Sequence, residues 1–260
     1  MIGVKAIPCK SALSRSTLPG LTYTFNPYVG CQHGCLYCYV PDVLKGRVSS
    51  SEWGREVLVK EGVLDRLRAD LRRLRPGVVG VSTVTDPYQP VERSLGMTRA
   101  ALSMFRDAGF PVSVQTKSSL VLRDLDVMKR GDFEVGMTVT SMDDAFRRRF
   151  EPGASPPEER AHALEEVSSK GVRTWIFYGP IIPGFNDSPE EIESIASLAQ
   201  RTKSRILYDR LNIKPMMLAR IGRVLSGDHI LSIRRSTLEV TFRKLEDTCK
   251  RRGVSCGSAF

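Results

Sequence analysis

The sequence has no run of about 18 apolar residues, the length a membrane-crossing helix needs. Its amino terminus, MIGVKAIPCK, lacks the charged, apolar and small-residue succession of a secretory signal. Both absences predict a cytoplasmic chain with no membrane partner. No low-complexity linker or internal repeat divides the 260 residues, which favours one domain over two. Acidic residues are in deficit, 29 against 39 Lys and Arg, so the net charge is +10 and polyanionic partners are favoured. That charge is dispersed over Arg66 to Arg75, Arg147 to Arg149, and Lys250 to Arg252, a pattern solvated helix faces also produce. With 41% hydrophobic residues the chain can bury a core, which excludes general disorder.

Six β-rich runs recur with helical stretches between them: LTYTF (21–25), VVGVSTV (78–84), PVSVQT (111–116), FEVGMTVT (133–140), VRTWIFY (172–178) and RILYDRLNI (205–213). Strands alternating with helices read as a parallel βα repeat, wound into an open sheet or a complete or partial barrel. Leu64, Leu67, Leu71 and Leu74 form one helical stripe, and Leu238, Phe242, Leu245 and Cys249 another. Ser188-Pro189-Glu190-Glu191 is a helix start ahead of Ile192, Ile195, Leu198 and Ala199. In parallel βα folds chemistry gathers at the carboxyl ends of the strands. There the sequence reads NPYVGCQHGCLYCYVP, TVTDPYQPVE, TKSS, TSMDD and GPIIPGFND.

Only six cysteines occur, and three of them, Cys31, Cys35 and Cys38, fall within eight residues as C-x3-C-x2-C. A cytosolic chain keeps thiols reduced and uses clustered cysteines for metal or redox work. Four ligands would close a structural zinc site, whereas three leave a vacancy. An iron–sulfur cubane held by three cysteines keeps one iron free for an exogenous ligand. His33, between the first two, is expected to support the loop rather than ligate. Cys249 sits on an apolar stripe where a buried free thiol is ordinary; Cys9 and Cys256 receive no role.

CQHGCLYC, with an aromatic before its last cysteine, resembles the signature of the radical S-adenosylmethionine (radical SAM) superfamily. Within it, NPYVGCQHGCLYCY, TDPYQPVE, Thr116-Lys117 and PIIPGFND are similar to the spore photoproduct lyase-related group, over roughly residues 20–215. The resemblance implies a single-domain α/β fold, a partial (β/α)6 TIM-type barrel. It would comprise an amino-terminal extension (1–20), the barrel with its cluster loop (21–215) and a helical carboxyl-terminal segment on the same domain (216–260). It also implies a [4Fe–4S] cluster on Cys31, Cys35 and Cys38, and S-adenosylmethionine (SAM), whose reductive cleavage gives a 5′-deoxyadenosyl radical that takes a hydrogen atom from substrate. A reductant such as ferredoxin or flavodoxin would supply the electron.

For SAM, the resemblance places Tyr37 and Tyr39 near the adenosine and makes Thr85, Lys117 and the hydroxyls of Thr138, Thr140 and Ser141 polar contacts. Asp86 would accept from the amino group or ribose, and Ile182 would lie under the adenine. Lys117 has a physical argument too, because an ammonium suits the SAM carboxylate. Glu151 and Arg160 flank EPGASPPEER and, as charged residues, are expected at the surface or the mouth. The lyases return a hydrogen atom from a cysteine at the end of the second strand, where VSTVTDP has no thiol. The resemblance therefore implies radical chemistry, with nucleic acid as the favoured substrate, but not photoproduct repair. The alternatives are radical chemistry on a peptide or small metabolite, and a non-enzymatic zinc module that binds nucleic acid.

Overall fold

Runs of valine, isoleucine and aromatic residues, bounded by glycine, proline and polar turns, set the frame of the molecule. The computed structural model describes residues 3–44, 47–236 and 238–259. Its strands are β1 (Gly3–Pro8), β2 (Leu13–Arg15), β3 (Tyr23–Phe25), β4 (Tyr28–Val29), β5 (Glu56–Glu61), β6 (Val79–Val81), β7 (Val112–Thr116), β8 (Phe133–Thr138), β9 (Arg173–Ile181), β10 (Arg205–Arg210) and β11 (Cys256–Ser258). The main sheet runs β11-β10-β9-β8-β7-β6-β3-β2. Every pairing from β3 to β11 is parallel, and β2 is an antiparallel edge.

All six expected strands form and lie side by side, as a partial barrel requires. Five are shorter than the runs that announced them, and only Arg173–Ile181 runs longer. VVGVSTV stops at Val81 because Ser82 turns into the left-handed region at φ 64°, and LTYTF keeps only Tyr23–Phe25. The sequence reading did not foresee the second sheet, β1-β5-β4, which draws the amino-terminal extension onto residues 56–61. The carboxyl-terminal segment carries helices Gly227–Arg235 and Glu239–Arg252 and adds β11 to the main sheet's edge.

Helices Val63–Arg73, Met97–Asp107, Pro157–Ser169, Pro189–Arg201 and Glu239–Arg252 carry the apolar stripes that cover one face. Strand residues of one parity, Val114, Val135, Ile176 and Ile206, join Leu67, Phe105, Leu164, Leu198 and Leu245 in the main core. Full burial of each such side chain stabilises the fold by about 1.5–3 kcal/mol. On β7 and β8 the opposite parity is polar: Ser113 donates to Glu134 at 2.8 Å and Gln115 to Thr138 at 3.1 Å. Gly136 leaves room there for Trp175, whose ring would lie 2.2 Å from a Cβ at that position. Ser188 caps Pro189–Arg201 by accepting from the Glu191 amide at 3.2 Å, as its sequence announced. This arrangement turns the carboxyl ends of β3 and β6 to β10 toward one side.

Candidate active site

The cysteine loop leaves β3 through β4 and turns at Gly30, whose φ is +91°. A Cβ there would meet the Glu56 carbonyl oxygen at 2.5 Å, so only glycine fits. The loop is then tied down along its length. Thr85 donates to the Gly30 carbonyl, and Gln89 accepts from the Gln32 amide at 2.9 Å. The His33 ring lies 3.2 Å from Asp86, and its carbonyl accepts from Gly153 at 3.0 Å. Leu36 donates to the Phe150 carbonyl at 2.9 Å, and Arg220 donates to that of Cys38 at 2.5 Å. Loops after β6 and β8 thus hold three thiols in place at the strand ends.

Cys31 and Cys35 are buried and Cys38 is partly so. Burial pushes all three thiols upward; Lys117 counteracts this at Cys35, and the Val40 amide and Arg220 do so at Cys38. Among the described residues no three His, Cys, Asp or Glu side chains converge on a point for one ion. A single zinc would need that convergence. A cluster, in which each thiolate bonds its own iron, does not.

Beside Cys35 lies a buried charge network. Glu151 and Arg160, expected at the surface, are each 1% exposed and ion-paired. Their direct contact, with the other Arg160 donors taken by the Ser155 and Thr138 carbonyls, offsets the cost of removing both from water. Glu151 also accepts from Tyr37 and, at 2.6 Å, from Thr140, and the Lys117 ammonium is 3.8 Å away. Burial works to raise the Glu151 carboxyl, but Arg160 and Lys117 overcome it and hold it at about 2. Two cations thus face one carboxylate, which leaves a positive excess beside Tyr37, whose ring is 5.6 Å from the Lys117 nitrogen.

The structure brings Tyr37, Lys117, Thr140 and Ile182 to one side of the cysteine loop; Ile182 is buried in a cluster with Cys35, Tyr37 and Phe150. The Thr138 hydroxyl accepts from Gln115 and its carbonyl from Arg160 at 3.1 Å, while the Ser141 hydroxyl accepts from the Asp143 amide at 2.9 Å. Asp86 is buried and takes four donors: the Tyr88 and Lys117 amides, the Thr116 hydroxyl and His33. It and Thr85 therefore brace the loop from within the protein. Tyr39 stands apart at 49% exposure. The sequence reading missed Arg220 and the role of Asn186, which accepts from Ile182 at 2.6 Å and donates to the Thr140 carbonyl at 2.6 Å. Their signals are ordinary polar residues far along the chain.

The three basic groups differ in place. Arg147 to Arg149 lie on helix Asp144–Phe150, whose last carbonyl holds Leu36, so they border the cysteine loop. Arg149 is exposed and stacks over Phe185 at 5.1 Å, while Arg147 and Arg148 share Asp144. The Arg66 to Arg73 face lies on the outer helix Val63–Arg73, and Arg251 and Arg252 pair with Glu193. No helix among the described residues is long and apolar enough to cross a membrane.

The family model described as the radical SAM superfamily matches residues 25–199. This chain belongs to the radical SAM superfamily. It is a radical SAM enzyme, and its cofactors are those of the superfamily, a [4Fe–4S] cluster and SAM. An uncharacterised protein of Methanocaldococcus jannaschii is 31% identical over 214 residues, 82% of this chain and 79% of its own. A radical SAM Nalpha-GlyT isomerase of Pseudomonas phage M6 is 25% identical over 162 residues, 61% of this chain and 33% of the isomerase. Among solved structures, spore photoproduct lyase complexed with dinucleoside spore photoproduct superposes with a TM-score of 0.73 at 16% identity, covering 99% of this chain and 82% of the lyase. A radical SAM methyltransferase from Sphaerobacter thermophilus gives 0.59 at 19% identity, over 91% and 65%. The three-thiol loop and the adjoining excess of positive charge fit both cofactors.

Proposed function

We propose that this radical SAM enzyme acts on nucleic acid, with its cluster on Cys31, Cys35 and Cys38. When bound, the cluster and SAM supply reductive cleavage of the sulfonium bond and hydrogen-atom abstraction from a substrate. The protein's own residues do the positioning. Gly30, Thr85, Gln89 and Asp86 fix the cysteine loop, so the thiols are preset for their irons. Lys117, already beside Glu151, meets the SAM carboxylate with the charge that Glu151 leaves unbalanced. Tyr37 and Ile182 offer apolar surface to the adenine, and their burial keeps water from the site.

The observation that carries the substrate class is the likeness over 99% of the chain to a lyase whose structure contains a dinucleoside lesion. Arg149 stacked on Phe185 beside the loop supports it, since an arginine–aromatic pair suits phosphate and base together. Photoproduct repair itself is not part of the proposal, because Ser82 and Thr83 stand at the end of β6, where the lyases' cysteine would be expected. The test is binding of a short single-stranded oligonucleotide to the loaded protein at rising salt. Affinity should fall steeply as salt increases, and Arg149→Glu should weaken it at low salt. Salt-independent binding, or binding untouched by Arg149→Glu, would turn the reading toward a peptide or small metabolite.

A further inference from the structure

Arg220 lies beyond the stretch that matches the family model and is a buried cation with no acidic side chain among its hydrogen-bond partners in the described residues, although Asp42 lies near it. It sits on helix Leu218–Ile221 and is 3% exposed. Its guanidinium donates to the Cys38 carbonyl at 2.5 Å, to the Met216 carbonyl at 3.2 Å and to the Ser50 hydroxyl. All three are neutral oxygens. Its Nε is buried with no partner, and so is one carboxylate oxygen of nearby Asp42, whose other oxygen accepts from the Met216 amide at 2.9 Å. A buried charge whose direct hydrogen bonds all go to neutral oxygens is costly and favours further negative charge nearby.

We propose that Arg220 is a positioning residue whose charge balances the cluster on its Cys38 side and makes that cluster easier to reduce. This rests on the reading that Cys38 is a cluster ligand. Three thiolates give the bound cluster a net negative charge, and each added electron increases it. A cation bonded to the carbonyl of a cluster ligand in poorly screened surroundings would therefore favour the reduced form. Arg220 also fixes the carbonyl of Cys38, so one side chain sets both the geometry and the field at that ligand. The reaction concerned is one-electron reduction of the cluster by a low-potential reductant, with no proton or bond exchanged at Arg220.

The test compares Arg220→Gln, Arg220→Lys and Asp42→Asn with the unaltered protein, each loaded anaerobically and titrated with dithionite while the reduced cluster is followed by electron paramagnetic resonance. Arg220→Gln should lower the reduced-to-oxidised ratio at fixed potential about tenfold, a shift of about 59 mV to more negative values. Arg220→Lys should recover most of this, and Asp42→Asn should shift the potential the other way. An Arg220→Gln protein with full iron and an unchanged potential would overturn the proposal, as would an Asp42→Asn protein with no upward shift. If Arg220→Gln holds no iron, the Asp42→Asn shift alone decides. If the ligand assignment itself is wrong, Cys38→Ala will keep its iron, an outcome separate from all of these.

Discussion

Replacing Glu151 by Gln removes the carboxylate that pairs with Arg160 in the buried network, while leaving its size nearly unchanged. Arg160 is 1% exposed and cannot reach water without disturbing helix Pro157–Ser169, and Lys117 loses its counter-charge as well. Leaving one member of a buried pair uncompensated typically costs about 3–5 kcal/mol. The pH behaviour gives an independent figure. Glu151 titrates at about 2 in the folded protein against an ordinary 4.5, a displacement worth roughly 3 kcal/mol. A carboxyl held low contributes its stability fully above about pH 4.5 and loses it as the pH falls toward 2. Glu151→Gln should therefore lower the unfolding free energy from urea titration at pH 7 by about 3–5 kcal/mol, with Tm falling roughly 6–20 °C. The difference from the unaltered protein should shrink as the pH drops below about 4.5. The double variant Glu151→Gln with Arg160→Met should recover part of the loss. A destabilisation below about 1 kcal/mol, or one independent of pH, would refute the reasoning.

Any one of Cys31→Ala, Cys35→Ala and Cys38→Ala should abolish most iron-dependent absorption while leaving far-ultraviolet circular dichroism intact, and Cys9→Ala, Cys249→Ala and Cys256→Ala should bind iron normally; cluster loss in Cys249→Ala would contradict the ligand set. Lys117→Ala should weaken SAM binding by about 1.5–3 kcal/mol, as loss of a charge-assisted hydrogen bond requires, and equilibrium dialysis with labelled SAM would show it. Gly30→Ala forces a Cβ to 2.5 Å from the Glu56 carbonyl at a φ of +91°, so iron bound per chain should fall although no ligand is touched.

What the sequence revealed was local. The six strands carry their own period and turn residues, and the cysteine spacing is confined to eight positions, so both were legible without contacts. The burial of Glu151 and Arg160 was not, because charged residues beside a Pro/Gly-rich loop look like surface until their partners, Tyr37 and Thr140, are brought in from elsewhere in the chain. Nor does anything local announce the four donors that gather on Asp86. The second sheet joins Gly3–Pro8 to Glu56–Glu61, and Arg220 reaches Cys38 across most of the chain. Such pairings are fixed by the assembled core rather than by any stretch of sequence.

The central claim is that this fold spends SAM on a nucleic acid. Its most direct test is 5′-deoxyadenosine formation by anaerobically loaded, reduced protein supplied with SAM and, in parallel, with single-stranded DNA, duplex DNA, RNA, peptides or no addition. Slow formation of 5′-deoxyadenosine and methionine is expected with no addition, none from Cys35→Ala, and several-fold acceleration by one of the nucleic acids. Acceleration by peptides alone would contradict the substrate, and no 5′-deoxyadenosine from fully iron-loaded, reduced protein would contradict the placement of cluster and SAM.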